Sequence, residues 1–274
     1  MNSQHRRLNS SRLVALLSQW TQAGSSPAAT PAGVADVAEQ LGQWLSTVDA
    51  VTLGRSLHAI ETLSAEVGWQ GPPFDLQALE TAFQHARDEL TRLASSRPAA
   101  PRPVRERADN TRADAPDPQA EADFAFHLPH YLGLQKQMDA RLQALRVQVR
   151  QGMARGPLAL RQLAVLDAVL EQMVAPREQR LWASLPGHLE RRFAHLRQTH
   201  LQRLEALGQD DDPQRWRQGG GWLAAFERDL QALLLAELQV RLQPSMGLLE
   251  AARSGNPMDM DRTYANKDAQ AVLP

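Results

Sequence analysis

The run from 124 to 253 constrains this chain more than anything else in it. It is a stretch of roughly 130 residues whose leucines recur at helical spacing and which only Gly and Pro interrupt. Leu142 and Leu145, Leu189 and Leu196, and Leu230 and Leu234 stand three, seven and four apart, separations that place side chains on one face of an α-helix. Only 5% of residues are aromatic, and the 43% that are hydrophobic are carried by Leu and Ala, which favours helix over sheet. The expected class is all-α.

Residues 96–120 break the pattern. Pro98, Pro101, Pro103, Pro116 and Pro118 fall there, and Val104 is its only aliphatic residue larger than Ala. Such a stretch cannot bury enough apolar surface to offset the entropy of ordering it, so it reads as a disordered Pro/Arg-rich linker. Arg97, Arg102, Arg105, Arg107 and Arg112 are interleaved with Asp109, Asp114 and Asp117, which suits a solvated tether better than a basic arm for nucleic acid.

Ahead of the linker, residues 8–95 read as a small helical module. Leu13, Leu16, Leu17 and Trp20 mark a first helix capped by Asn9 to Ser11, and Val34, Val37, Leu41, Trp44 and Leu45 mark a second. Ser46 and Asp49 resemble a capping box opening a third through Leu53, Leu57 and Ile60. Asp75 is a good N-cap for a fourth along Leu79, Phe83, Leu90 and Leu93, with Phe74 and Leu79 at the positions of a hydrophobic staple. Trp20, Trp44 and Trp69 could share its core.

After the linker, residues 121–253 read as an antiparallel bundle of long helices. One runs from Pro129 to Gly152, about 35 Å at 1.5 Å per residue. Gly156-Pro157 starts the next, through Leu160, Leu163, Leu166, Leu170 and Met173, which should stop before Pro176. A third extends to Leu207 with Gly208 as its cap, kinked or broken at Pro186-Gly187. Its positions Trp182, Leu185, Leu189, Phe193, Leu196, His200, Leu204 and Leu207 follow an eleven-residue period, which predicts a nearly straight helix. The last helix begins at Trp222 after Gly219–Gly221. It presents a broad face of Trp222, Phe226, Leu230, Leu233, Leu234, Leu238 and Leu242 until Pro244 interrupts it, and 254–274 reads as a disordered tail.

Chemistry-bearing motifs are scarce. With no cysteine, disulfides and thiolate metal sites are excluded. His127 and His130, with Asp123 nearby, lack a third and fourth ligand at helical spacing, and His200 fits an interface histidine with a hydrogen-bond partner. Asp210, Asp211 and Asp212 lack the alternating pattern of a calcium loop, and a cap before Pro213 accounts for Asp212. Gly219–Gly221 could cradle an anion at a helix start but lacks the Lys and Ser/Thr of a P-loop. No Gly-x-Ser-x-Gly elbow occurs. The reading is therefore of no enzyme, no cofactor and no metal.

Charge adds little. The net charge is −1, and 28 of the 30 basic residues are arginine, spread along the chain as a GC-rich coding sequence would spread them. The best polar surface is Arg191, Arg192, Arg197 and Arg203, a candidate partner-binding face that could grip phosphate or an acidic partner, although Glu190 offsets part of it. The apolar run after Arg6 and Arg7, Leu13 to Leu17, is too short for a signal-peptide core, and nothing approaches the length of a membrane span. The expectation is a cytoplasmic protein with no membrane insertion.

Five blocks, in order, carry a resemblance: VAEQLGQWLSTVDAVTLGRSLHAIE (37–61), PHYLGLQKQMDARLQALR (129–146), LAVLDAVLEQMVAPRE (163–178), LERRFAHLR (189–197) and LQALLLAELQVRLQPSMGLLEA (230–251). They resemble a proteobacterial family known only as domain of unknown function three-three-four-eight. The resemblance brings no catalytic or binding residue. It implies a setting, since such proteins are encoded near MotA/TolQ-like and OmpA/MotB-like proteins of the cell envelope. The expected function is a non-enzymatic helical scaffold or adaptor for protein partners, a cytoplasmic accessory of such a complex, with homo-oligomerisation compatible. The alternative is a nucleic-acid-binding regulator using the linker arginines and the arginine helix face.

Overall fold

The computed structural model describes residues 11–23, 47–63, 73–96 and 118–254. Among these the protein is all-α, with six α-helices, two short 3-10 turns and no strand. The helices are α1 (Arg12–Ala23), α2 (Thr47–Glu61), α3 (Leu76–Ala94), α4 (Phe124–Met153), α5 (Leu158–Leu207) and α6 (Trp222–Ser254); the 3-10 turns are Pro118–Ala122 and Pro213–Arg215. The expected helix over 34–45, the tryptophans Trp44 and Trp69, linker residues 97–117 and the tail from 255 lie outside the described residues.

Local signals set several helix ends. The Asp75 carboxylate accepts from the Ala78 amide at 2.9 Å, so Asp75 caps α3 as expected. Ser11 does the same for α1 through the Val14 amide at 3.3 Å. At the end of α5, Gly208 takes φ +59°; the Gln209 amide bonds the Leu204 carbonyl and the Gly208 amide that of Glu205. That paired closure is a Schellman motif, and its left-handed residue favours glycine.

Four expected boundaries are corrected. Helix α4 begins at Phe124 rather than Pro129, because Asp123 caps it by accepting from the Ala125 amide at 2.9 Å, leaving Pro129 inside the helix. Helix α5 runs unbroken for 50 residues through both Pro176 and Pro186-Gly187. Helix α6 likewise continues through Pro244 to Ser254. A proline deletes one backbone hydrogen bond and crowds one carbonyl. In each case the turns on either side remain helical, so tertiary packing outweighs that local cost.

The described residues form two compact units. The first holds α1, the end of α3 from Asp88, α4 to Ala140, α5 from Leu181 and α6 to Arg241. Within it α5 and α6 are antiparallel, since Phe193 meets Phe226 while the earlier Trp182 meets the later Arg241, and Phe124 of α4 packs on the same Phe193. This is the antiparallel long-helix packing the sequence predicts. The broad face of α6 is buried at all seven expected positions, Trp222, Phe226, Leu230, Leu233, Leu234, Leu238 and Leu242, the last of which belongs to the second unit. On α5 the eleven-residue pattern is buried at Leu185, Leu189 and Phe193, half-buried at Trp182, Leu196, His200 and Leu204, and exposed at Leu207.

The second unit holds α2, α3 to Arg87, α4 from Arg141, α5 to Arg180 and α6 from Leu242. Helix α2 runs antiparallel to α5: Arg177 pairs with Asp49 at 3.4 Å, and the Gln162 amide donates to the Ile60 carbonyl at 3.1 Å. Of α2's apolar row only Ile60 is buried, with Leu53 half-buried and Leu57 exposed.

Candidate functional site

The most unusual residue in the first unit is Glu237, a carboxylate with no solvent exposure in the leucine-rich centre of α6. A lone buried carboxylate is very costly unless paired, and this one has three partners. The buried Tyr131 hydroxyl donates to Oε2 at 3.1 Å, and the Gln135 amide reaches Oε1 at 3.0 Å. An Arg241 guanidinium nitrogen lies 2.5 Å from Oε1. Arg241 also pairs with Asp139 at 3.2 Å and stacks over the Trp182 ring at 4.5 Å. Burial raises the Glu237 pKa above its ordinary value, while Arg241, Gln135 and Tyr131 pull it back down. Burial, and then the charge of Glu237, push the Tyr131 phenol strongly upward. Tyr131 and Gln135 therefore serve as fixed hydrogen-bonding groups.

Nearer the start of α4, His127 is buried among Phe126, Phe193 and Phe226, with ring centroids 5.1–5.5 Å away. Its Nε2 lies 2.9 Å from the Glu121 carbonyl. A carbonyl only accepts, so Nε2 carries the proton and Nδ1 is left as the acceptor. Burial lowers the His127 pKa. His130 is lowered too, by burial and then by His127. Arg217 links Glu121 (3.2 Å) and Glu227 (3.1 Å). Beside these groups lies a cavity of about 380 Å³ lined by residues 94–96 at the end of α3, by His127, and by Phe226, Glu227, Leu230 and Gln231 of α6.

The other sequence candidates fall as follows. His127, His130 and Asp123 do not converge, since Asp123 caps α4 and His127 binds a backbone carbonyl. Among the described residues no cluster of three His, Cys, Asp or Glu could hold a metal. Asp212 caps the 3-10 turn through the Gln214 amide (3.0 Å), as expected. Asp211 has a role the sequence did not suggest: its Oδ1 accepts from the Trp216 indole at 2.6 Å and lies 3.0 Å from His200 Nε2. Gly219–Gly221 does not cradle an anion, because the Trp216 carbonyl already accepts from the Leu223 and Ala224 amides at the start of α6. Gly221 is required there, since an added Cβ would lie 2.1 Å from that carbonyl oxygen.

The four arginines of the candidate face point in three directions, only Arg192 and Arg203 lying close together round the helix. At 100° per residue, Arg192, Arg203 and Arg197 lie about 100°, 120° and 240° round the helix from Arg191. Arg192 is taken up by Asp229 at 2.7 Å and lies over the Trp20 ring. Arg191 contacts His188 at 3.1 Å, and Arg191, Arg197 and Arg203 are exposed. In the second unit, Arg146 and Arg150 of α4 face Asp167 and Glu171 of α5 in a four-membered ion-pair network.

The Glu237 network is the functional-looking feature that sequence reasoning missed. One signal was available: Glu237 lies seven, four and three residues after Leu230, Leu233 and Leu234, squarely in the apolar register. Its main partner, Tyr131, is 106 residues distant and carried no matching cue.

Fold and site together define an all-α bundle protein with a buried hydrogen-bond and ion-pair network around Glu237. No described helix is long and apolar enough to cross a membrane. A model of the protein family described as protein of unknown function (DUF3348) matches residues 1–254, and the chain belongs to that family. No curated protein and no solved structure matches it.

Proposed function

We propose that this protein is a non-enzymatic helical scaffold or adaptor that binds protein partners, acting in the cytoplasm beside a MotA/TolQ-like and OmpA/MotB-like envelope complex. The observation that carries this reading is the stretch 163–174 of α5 in the second unit. Leu163, Leu166, Val169, Met173 and Val174 remain half-buried there, while Val165 and Leu170 are exposed at 42% and 38%. Val51 and Leu57 on α2 and Val147 on α4 are also exposed in that unit. At 100° per residue Leu170 lies within the half-buried apolar row of α5 and Val165 at its edge, about 140° away, and exposed apolar side chains along such a row are what an interaction site would offer.

The ionisable groups support the non-enzymatic part. Glu237, Arg241, Arg146, Arg150, Asp167 and Glu171 are held by one another. Catalytic groups are instead aimed at space a substrate could fill. Homo-oligomerisation through the same surface is compatible with the reading. The test is co-purification of tagged full-length protein, wild type against a Val165→Glu, Leu170→Glu double variant. A protein recovered stoichiometrically with the first and lost with the folded second supports the adaptor; equal recovery with both removes this surface from it. The nucleic-acid alternative has less to draw on, because its helix arginines are split among three directions and Arg192, one of the two that share a face, is paired with Asp229. It requires salt-sensitive binding that falls on replacing Arg191, Arg192 and Arg197 by Gln.

A further inference from the structure

We propose that α1 is a displaceable occupant of a helix-docking site on the first unit, and that this site takes an amphipathic helix of a protein partner. The sequence of α1 defines what the site accepts. Leu13, Leu16, Leu17 and Trp20 stand at i, i+3, i+4 and i+7, a stripe about 100° wide. Leu13 and Trp20 are buried, and Leu16 and Leu17 are half-buried. A single helix of 12 residues has no interior of its own, so other parts of the chain cover this stripe. One point of cover is Arg192 of α5, whose guanidinium lies 5.9 Å from the centre of the Trp20 ring, a cation–π contact.

Two observations make α1 separable from its site. Among the described residues, its side chains hydrogen-bond only within the helix: Ser11 caps Val14, and Thr21 bonds the Leu17 and Ser18 carbonyls. Isolated helices shorter than roughly 12–15 residues are marginal in water, so packing of the apolar stripe is what keeps α1 helical. Elements tied in this way open more readily than the core they rest on. The site, by contrast, stands without α1. Asp229 of α6 holds Arg192 at 2.7 Å, and α5 and α6 are joined by the Phe193–Phe226 contact at 4.8 Å. The occupant it fits is a helix with leucines at i, i+3 and i+4 and a tryptophan at i+7 beneath the guanidinium. An extended peptide does not bring that spacing to one face, and Asp229 has already taken the charge of Arg192 that an anion would need. This site and the α5 surface of 163–174 belong to different units. The proposal rests on the adaptor reading only for there being a protein partner.

The experiment titrates a fluorescein-labelled peptide of residues 11–23 into full-length protein and follows its anisotropy. Wild-type protein should bind weakly, because only the fraction with α1 undocked is competent. A full-length Leu13→Ala, Trp20→Ala variant frees the site and should bind the peptide at least tenfold more tightly. Arg192→Gln in that background should weaken binding again, and a peptide carrying Trp20→Ala should bind neither protein. Circular dichroism checks that the variants fold. Hydrogen exchange of the wild type needs no variant: α1 amides should exchange at least tenfold faster than those of Leu233 to Leu238 in α6. Peptide affinity unchanged by the double variant, or α1 amides protected as well as those of α6, overturns the proposal. A wild-type dimer that the peptide dissociates overturns the separate partner and makes a second copy of this chain the occupant. Absence of any protein partner in the co-purification would overturn the adaptor reading while leaving these titrations unchanged.

Discussion

The Tyr131 hydroxyl donates to the Glu237 carboxylate at 3.1 Å, joining α4 to α6 inside the first unit across 106 residues of sequence. A hydrogen bond to a buried charged acceptor contributes more than a neutral one, about 1.5–3 kcal/mol. Tyr131→Phe should therefore lower unfolding stability by about that amount. Glu237→Ala should cost more, about 3–5 kcal/mol, because it strips a nearly buried Arg241 of its closest counter-charge. Urea denaturation of the full-length chain measures both. A Glu237→Ala protein as stable as wild type would contradict the network.

The two histidines of α4 set an acid limit. Burial lowers both His127 and His130 below the ordinary 6.5. In the window beneath 6.5 the unfolded chain binds more protons than the folded one, so stability is fully present above that value and declines as pH falls through the lowered folded values. Glu237 acts in the opposite sense: its raised pKa makes stability decline as pH rises from 4.5 through the folded value. The urea midpoint of wild type minus that of His127→Gln isolates the histidine contribution. That difference should shrink between pH 7 and pH 5; a difference independent of pH would show that His127 titrates alike in the folded and unfolded states.

The ion-pair network of the second unit should behave as a unit. Arg146 and Arg150 each approach both Asp167 and Glu171, with side chains 12–15% exposed. Asp167→Ala and Arg150→Ala should each cost about 1–3 kcal/mol, with a coupling energy above about 0.5 kcal/mol in the double-mutant cycle. Strict additivity would mean that solvent screens the pair.

Two glycines two residues apart should respond differently to alanine. At Gly221 a Cβ would collide with the Trp216 and Arg215 carbonyls, at 2.1 and 2.4 Å, whereas at Gly219 it meets nothing within 4 Å. Gly221→Ala should lower the thermal midpoint markedly, by the equivalent of about 2 kcal/mol or more, and Gly219→Ala should stay within about 0.5 kcal/mol of wild type. Equal effects would mean that the loop before α6 relaxes freely.

How far the sequence could be read depends on the range of the interactions. Caps act within one turn, and Asp75, Ser11, Gly208 and Asp212 were all legible because their partners lie within five residues. The face of α6 was legible because burial on two sides leaves a broad periodic stripe. The helix breaks expected at Pro176, Pro186 and Pro244 failed because a proline's local cost is visible in sequence, whereas the packing that overrides it is not. Glu237 was missed for a related reason. One acid among leucines looks like an exposed position until Tyr131, Gln135 and Arg241 are seen to meet it. The cavity needed three distant segments, around Ser95, His127 and Phe226, which no local pattern brings together.

The measurement that tests the adaptor most directly is affinity purification of tagged full-length protein from its native cell after nuclease treatment. Co-purifying proteins would be quantified for wild type and for the Val165→Glu, Leu170→Glu variant, with circular dichroism confirming that the variant folds. The account predicts an envelope or motor-like protein partner in stoichiometric amount with wild type and its loss with the variant. A wild-type sample free of protein partners, whose untreated preparation carries nucleic acid, would contradict it and put the arginine-based alternative in its place.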